Sequence, residues 1–347
     1  MTDATKSLNL PILKGRDLDE NDIRRLFDFS GQNLDDVLFF ANQVRKEHVG
    51  DDVHLRAIIE FSNHCRCHCL YCGLRSENHQ LSRYRLTHHE ILQSVHKAVA
   101  SGMKTIILQS GEDPFYKADD IARLVETIKN QFDVAVTLSV GERSHSEYLL
   151  WRQAGTDRYL LKHETSDPIL YQKLKPEKNL EDRLQCFLDL KDLGFQIGSG
   201  NIVGLPGQTH ESLIHDILFM KKLDIDMAGI GPFLPHPDTP LGCYPAGSLL
   251  QSLQILALTR IVLPTVHLPA TTALSTLNKD ARRYALEAGA NVVMLNFTPL
   301  RVRDCYAIYP QKIDIIEKPE RSLENLKNLL QEMNRTVSEE FGHALKK

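Results

Sequence analysis

Four cysteines fall within eight positions, Cys65-Arg66-Cys67-His68-Cys69-Leu70-Tyr71-Cys72, directly after the extended run Val53 to Ser62. Three of them, Cys65, Cys69 and Cys72, are spaced C-x3-C-x2-C. Three thiolates on one short loop can hold three irons of a 4Fe-4S cluster and leave the fourth without a protein ligand. Such an open iron invites a substrate or cofactor. Zinc is the competing reading; it wants a fourth strong ligand, which His64 or His68 could supply, but it more often uses paired short spacings. Cys67 is as readily a spectator as an occasional alternative ligand and is left out of the expected set.

A loop of this kind needs a rigid frame. At 347 residues, the chain is long enough for two average domains or for one large α/β barrel, which runs to roughly 250 residues before additions. Hydrophobic residues at 42% and charged residues at 25% describe an ordinary globular protein. A net charge of -4 and a pI near 6.4 give no electrostatic reason to expect nucleic acid or an anionic membrane as partner. Met1 to Leu13 lacks a basic segment followed by an apolar run, and no window approaches the roughly 18 apolar residues of a membrane span. A cytoplasmic location is therefore expected. The seven cysteines do not resemble a secreted disulfide framework, and an oxygen-sensitive thiolate cluster favours a reducing cytosol.

After Val53, β-branched runs alternate with helical patterns, the rhythm of repeated βα units. Eight strands are expected: Val53 to Phe61, Thr105 to Leu108, Val134 to Leu138, Arg158 to Leu161, Gln196 to Ile202, Met227 to Ile230, Thr265 to Pro269 and Asn291 to Met294. Several intervening helical patterns close on Gly102, Gly155, Gly194 or Gly289, where a left-handed cap costs a residue without Cβ little. The fold class is α/β: a (βα)8 TIM-type barrel over residues 53–300, preceded by a helical extension (1–52) and followed by a closing segment (301–347) with a helix from Ser322 to Leu345. In the extension, Leu26-Phe27 and Leu38-Phe39-Phe40 are the expected apolar anchors. An open doubly wound sheet is the rival, lowered by the lack of a dinucleotide glycine fingerprint after the first strand.

In a parallel barrel the reactive groups belong at the C-terminal ends of the strands. The polar residues cluster there: Gln109-Ser110-Gly111-Glu112 after the second strand, Thr137-Leu138-Ser139 at the third, Lys162-His163-Glu164-Thr165 after the fourth, and the glycine-rich Gly198 to Gly207 after the fifth. Read singly, each has an ordinary structural explanation: a polar turn, a β-forming threonine, a helix-cap neighbour or a solvated arginine at Arg183. The proline-rich Gly231 to Pro240 makes a stiff loop over the barrel mouth, able to shield a reactive species or to serve as a structural plug.

Together with the cysteine loop, these segments resemble the radical S-adenosylmethionine (SAM) superfamily, in which the open iron chelates SAM and an electron from the cluster cleaves it to a 5′-deoxyadenosyl radical. Tyr71 is typical of that loop. Ser110-Gly111-Glu112 resembles the family's Gly-Gly-Glu motif for the methionine amine, with Ser110 replacing the first glycine. The resemblance gives Thr137, Ser139, Lys162, Glu164 and Arg183 to SAM, Arg183 as a fork for its carboxylate, and Ile202 to its adenine. The runs His54 to Phe61, Leu108 to Pro114, Asp157 to Leu161, Gly229 to Phe233, Pro235 to Pro240 and Pro269 to Ala273 narrow it to the HydE family, radical SAM maturases of the FeFe-hydrogenase active site, over about Val49 to Pro310.

That resemblance implies an organometallic iron, carbon monoxide, cyanide and cysteine precursor in the barrel, the maturases HydG and HydF as partners, and an electron donor. It gives the precursor pocket to Arg56, Gln109, Arg158, Thr271, Thr272, Met294, Tyr306 and Tyr309. Two buried arginines would be compensated by an anionic ligand, or alternatively by Glu60 or Asp157. Two departures matter. The segment Ile313 to Lys347 lacks the cysteines with which many relatives hold an accessory cluster, so one 4Fe-4S cluster is expected; and Lys162 stands where the family often has arginine, losing the planar fork. A biotin-synthase-like enzyme would need a second cluster on barrel strands, whereas Cys186 falls on a helix pattern and Cys243 and Cys305 in loops. A methylornithine-synthase-like enzyme and a non-enzymatic cluster carrier remain as alternatives.

Overall fold

The computed structural model describes residues 17–310 and 317–345; the expectation for Met1 to Leu13 lies outside them. Among the described residues ten strands follow in order: β1 (Asp52–Ser62), β2 (Thr105–Ser110), β3 (Ala135–Ser139), β4 (Arg158–Leu160), β5 (Gln196–Ser199), β6 (Ile202–Val203), β7 (Met227–Ala228), β8 (Gly231–Pro232), β9 (Val292–Asn296) and β10 (Thr336–Val337). A curled parallel sheet runs β1-β2-β3-β4-β5-β7, with β9 on the other side of β1. It closes through residues 267–269, which carry the parallel bridges Met227↔His267 and Pro269↔Val292. The expected strand Thr265 to Pro269 is thereby reduced to isolated bridges, since the prolines at 264 and 269 offer no backbone donor.

Local sequence explains the helix starts. Thr87 and Glu90 form a reciprocal capping box before His88–Ala100, as Ser144 and Glu147 do before His145–Gln153. The four glycines expected at helix ends all have positive φ. A helix absent from the expected set, Pro168–Leu174, starts at the side chain of Asp167 with Pro168 in its first turn.

The N-terminal helices Glu20–Ser30 and Leu34–Val49 pack on Leu249–Val262, which is buried over most of its length. Leu26, Phe27 and Phe40 are buried there, but Phe39 is 68% exposed because the helical period carries it to the outer face. The closing helix spans Pro319–Glu332, not the full run to Leu345. Asn334 is left-handed (φ 53°), Arg335 is buried on the carbonyls of Asp51, Leu286 and Ala290, and β10 then pairs in parallel with the start of β1. The tail beyond it reaches side chains at the N-terminal ends of the barrel strands: the Phe341 carbonyl accepts from Thr105 and Arg158, and that of Gly342 from Arg56.

Candidate active site

The loop after β1 enters a cavity of about 380 Å³ at the opposite, C-terminal end of the strands. Cys65, Cys69 and Cys72 all line it, with Cys67 beside them, and all four are half-buried thiols outside any disulfide. Backbone bonds fix the loop: Arg66 N–H to the Glu112 carbonyl (3.0 Å), Leu70 N–H to Leu174 (2.9 Å) and Gly73 N–H to Ile308 (3.0 Å). Arg83, which sequence reasoning did not single out, donates to the carbonyls of Asn63, Leu74, Arg75 and Asn78 and so braces the loop from behind. At Gly111 a Cβ would lie 2.3 Å from the His64 carbonyl oxygen and 2.7 Å from Cys65 Cβ, so only glycine permits this approach.

The hydrogen bond with Cys67 and burial push the Cys69 thiol well up, while burial and then Cys69 push Cys72 up to about 12. Metal binding there must displace protons. Among the described residues, no three of these sulfurs lie within 4.8 Å of one another, the spacing a single ion with metal–sulfur bonds of about 2.3 Å would need.

Glu112 occupies the centre of a charged network. It accepts from the Glu142 N–H (3.1 Å) and pairs with Arg66 (3.3 Å) and Lys178 (3.4 Å), while Lys178 reaches Glu142 at 2.6 Å and Arg183 reaches it at 2.7 Å. Burial would raise the Glu112 carboxyl, but Lys178, the Glu142 amide and Arg183 outweigh it and hold it down to about 2. Glu142 and Lys178 were not among the expected residues; the Val140-Gly141-Glu142 turn after β3 was the available signal. Arg183 is buried, donating to Tyr171 Oη (3.2 Å) and the Lys162 carbonyl (3.0 Å).

Glu164 holds a left-handed backbone (φ 67°), uncommon for a residue with a side chain, between backbone bonds to Gly200 and Ile202. Its Oε2 is buried without a hydrogen-bond partner, 3.6 Å from Lys162 Nζ. Burial alone would raise its pKa; Lys162, Lys175 and Arg183 hold it below the ordinary value. His163 supports the turn from outside, with Nδ1 2.9 Å from Ser199 Oγ and Nε2 3.6 Å from Asp216. Ser110, Gly111 and Ser139 also line the cavity, and Ser110 Oγ donates to the Gly111 carbonyl (2.7 Å). Tyr71 and Ile202 pack against a small apolar cluster that includes Leu170, Leu174 and Phe233.

Toward the barrel interior the same cavity is lined by Gln109, Thr271, Thr272, Met294, Tyr306 and Tyr309. Gln109 Nε2 donates to Tyr306 Oη (3.2 Å), and Thr271 Oγ1 to the Ile230 carbonyl (3.0 Å). Glu60 and Asn296, joined at 3.0 Å, line it as well. Arg56, Thr137 and Arg158 do not; they surround a separate small void nearer the N-terminal strand ends, with Met227 lining both spaces. Burial pushes the Arg158 guanidinium down to about 10 and Arg56 well down. Arg56 meets Met227 Sδ and the Gly342 carbonyl, and Arg158 meets Thr105, Gln196, Phe341 and His343.

Residues 59–220 match the model of the Radical SAM superfamily. Over 331 residues, 95% of each chain, the protein is 46% identical to the [FeFe] hydrogenase maturase subunit HydE of Thermotoga maritima. The chain belongs to the HydE family of radical SAM enzymes. It is also 32% identical over 285 residues to the 3-methylornithine synthase of Methanosarcina acetivorans, covering 81% of this chain and 80% of that one. The crystal structure of methylornithine synthase (PylB) superposes with a TM-score of 0.81 at 27% identity, covering 94% of this chain and 96% of that one. The HydE-family cavity fits a 4Fe-4S cluster with SAM: three thiols share it, the glycine turn at Gly111 packs closely against Cys65, and Glu164 presents a buried oxygen that still lacks a donor. No helix among the described residues is long and apolar enough to cross a membrane.

Proposed function

We propose that the chain matures FeFe-hydrogenase: Cys65, Cys69 and Cys72 would hold one 4Fe-4S cluster, which would supply the electron for cleavage of SAM to a 5′-deoxyadenosyl radical directed at an Fe(CO)2(CN)-cysteine precursor in the barrel. The observation that carries this reading is the convergence of the three thiols, the charged turns of Glu112 and Glu164, and the deeper pocket on one cavity, in a chain 46% identical to a HydE.

Within that cavity the protein's own groups divide the work. Glu164 offers its oxygen to an ammonium or hydroxyl donor, and Arg183 and Lys162 supply cationic charge for a carboxylate. Ser110, Gly111, Glu112 and Ser139 shape the wall, and Tyr71 and Ile202 present apolar surface to a planar base. Thr137 lies one layer deeper and would act only through its neighbours. Gln109, Thr271, Thr272, Met294, Tyr306 and Tyr309 hold the precursor; Arg56 and Arg158 contribute positive potential from below. HydG and HydF are the proposed supplier and recipient, in the cytoplasm, with an electron donor.

Anaerobic, reconstituted and reduced protein should form 5′-deoxyadenosine from SAM and restore hydrogenase activity to a strain lacking its HydE. An intact cluster without SAM cleavage would leave a carrier. The methylornithine reading, favoured by the 32% identity, predicts instead turnover of an amino acid substrate without any effect on hydrogenase.

A further inference from the structure

Lys175 lines the cavity beside Cys69 and Cys67, is only 6% exposed, and has no role in the reading above beyond its field at Glu164. Lysines are almost never this buried unless a counter-charge compensates. The other lysines of the cavity are ion-paired, Lys178 with Glu142 at 2.6 Å and Lys162 with Glu164 at 3.6 Å, whereas Glu164 acts on Lys175 only at longer range, through its field. Lys175 Nζ instead sits 5.1 Å over the face of the Tyr171 ring. Its side chain also borders a second small cavity behind the loop, again with Cys67 and Cys69.

Backbone geometry fixes where this side chain starts relative to the loop. Lys175 closes the helix Pro168–Leu174, with its N–H on the Tyr171 carbonyl at 2.9 Å. The preceding carbonyl, that of Leu174, accepts from the N–H of Leu70, the residue after Cys69, also at 2.9 Å. The backbone that carries the lysine and the backbone that carries the cysteine are thus joined through one hydrogen bond.

We propose that the Lys175 ammonium is the counter-charge of the cluster held by Cys65, Cys69 and Cys72, and that it raises the cluster's reduction potential. A cluster with three thiolate ligands gains a further negative charge on reduction, and a buried cation in a poorly solvated wall favours the more negative state. The proposal rests on the cysteine ligand set given above. Lys175 positions charge; it takes part in no bond-making step.

The test is an EPR-monitored redox titration of anaerobically reconstituted parent, Lys175→Met, Lys175→Gln and Lys175→Arg proteins, with iron, sulfide and thermal melting measured on each. Loss of the charge should lower the ratio of reduced to oxidised cluster at a fixed poise about tenfold, equivalent to about 59 mV for a one-electron couple. Lys175→Arg should remain within about threefold of the parent, because the charge is kept while its shape changes. Neutral variants with a full cluster and the parent potential would overturn the proposal. So would neutral variants that melt like the parent yet hold no cluster, since the ammonium would then serve assembly. A parent protein that binds no 4Fe-4S cluster would fail the ligand reading first and take the proposal with it.

Discussion

Arg158→Ala separates a structural from a substrate-handling role at the lower end of the barrel. The guanidinium contacts Gln196 Oε1 (3.2 Å), Thr105 Oγ1 (3.1 Å), the Phe341 carbonyl (2.8 Å) and His343 Nδ1 (3.0 Å), joining β2, β4 and β5 to the C-terminal tail. Hydrogen bonds to a charged group contribute about 1.5 kcal/mol each at the lower end of their range, so the set amounts to about 6 kcal/mol. Relief of guanidinium desolvation returns several kcal/mol of this, leaving a net loss of about 3 kcal/mol. At about 2 °C per kcal/mol for a chain of this size, the melting temperature should fall by roughly 6 °C. Hydrogen exchange should also lose protection from Ser338 through the tail, whose N–H bonds to Val53. Uncoupled SAM cleavage should persist at temperatures where the variant stays folded. Parent-like melting and tail protection, with turnover of the precursor alone abolished, would refute the structural argument and return Arg158 to the substrate.

Cys65→Ala, Cys69→Ala and Cys72→Ala should each abolish the EPR signal of the reduced cluster and 5′-deoxyadenosine formation, whereas Cys67→Ala should keep much of both; an indispensable Cys67 with a dispensable Cys65 would break the ligand assignment. For Glu112, whose folded-state pKa of about 2 lies below the ordinary 4.5, the linked stability is fully present above 4.5 and lost as pH falls through about 2. The melting gap between the parent and Glu112→Gln should therefore be level above pH 5 and narrow on acidification, and a gap that widened below pH 4.5 would contradict the network described around that carboxylate.

Much of this molecule is written locally. Cysteine spacing needs only a few consecutive residues, and the capping pairs Thr87/Glu90 and Ser144/Glu147 act within one helical turn. Period-two alternation likewise says that Arg56, Ile58 and Glu60 share a face of β1. It does not say how high each stands: residues four apart are separated by about 13 Å along a strand. Glu60 therefore reaches the cavity, while Arg56 lies below it beside the tail. Arg158 gave a usable sign, since it opens β4 whereas Lys162 and Glu164 follow that strand.

The sequence by itself determined the ligand spacing, the βα rhythm and the turns after the strands, because each depends on neighbours in the chain. Tertiary structure alone decided which charges meet. Glu142 follows β3, Lys178 and Arg183 flank the start of the helix Leu180–Asp192, and they meet around Glu112 only when the sheet curls, Lys178 bridging both carboxylates and Arg183 pairing with Glu142. The closing segment, expected as one helix, turns after Glu332 because pairing with β1 and burial of Arg335 involve partners nearly the whole chain away. Contacts at that separation leave no period in the sequence; they arise from closure of the barrel, which brings its first strand beside its last.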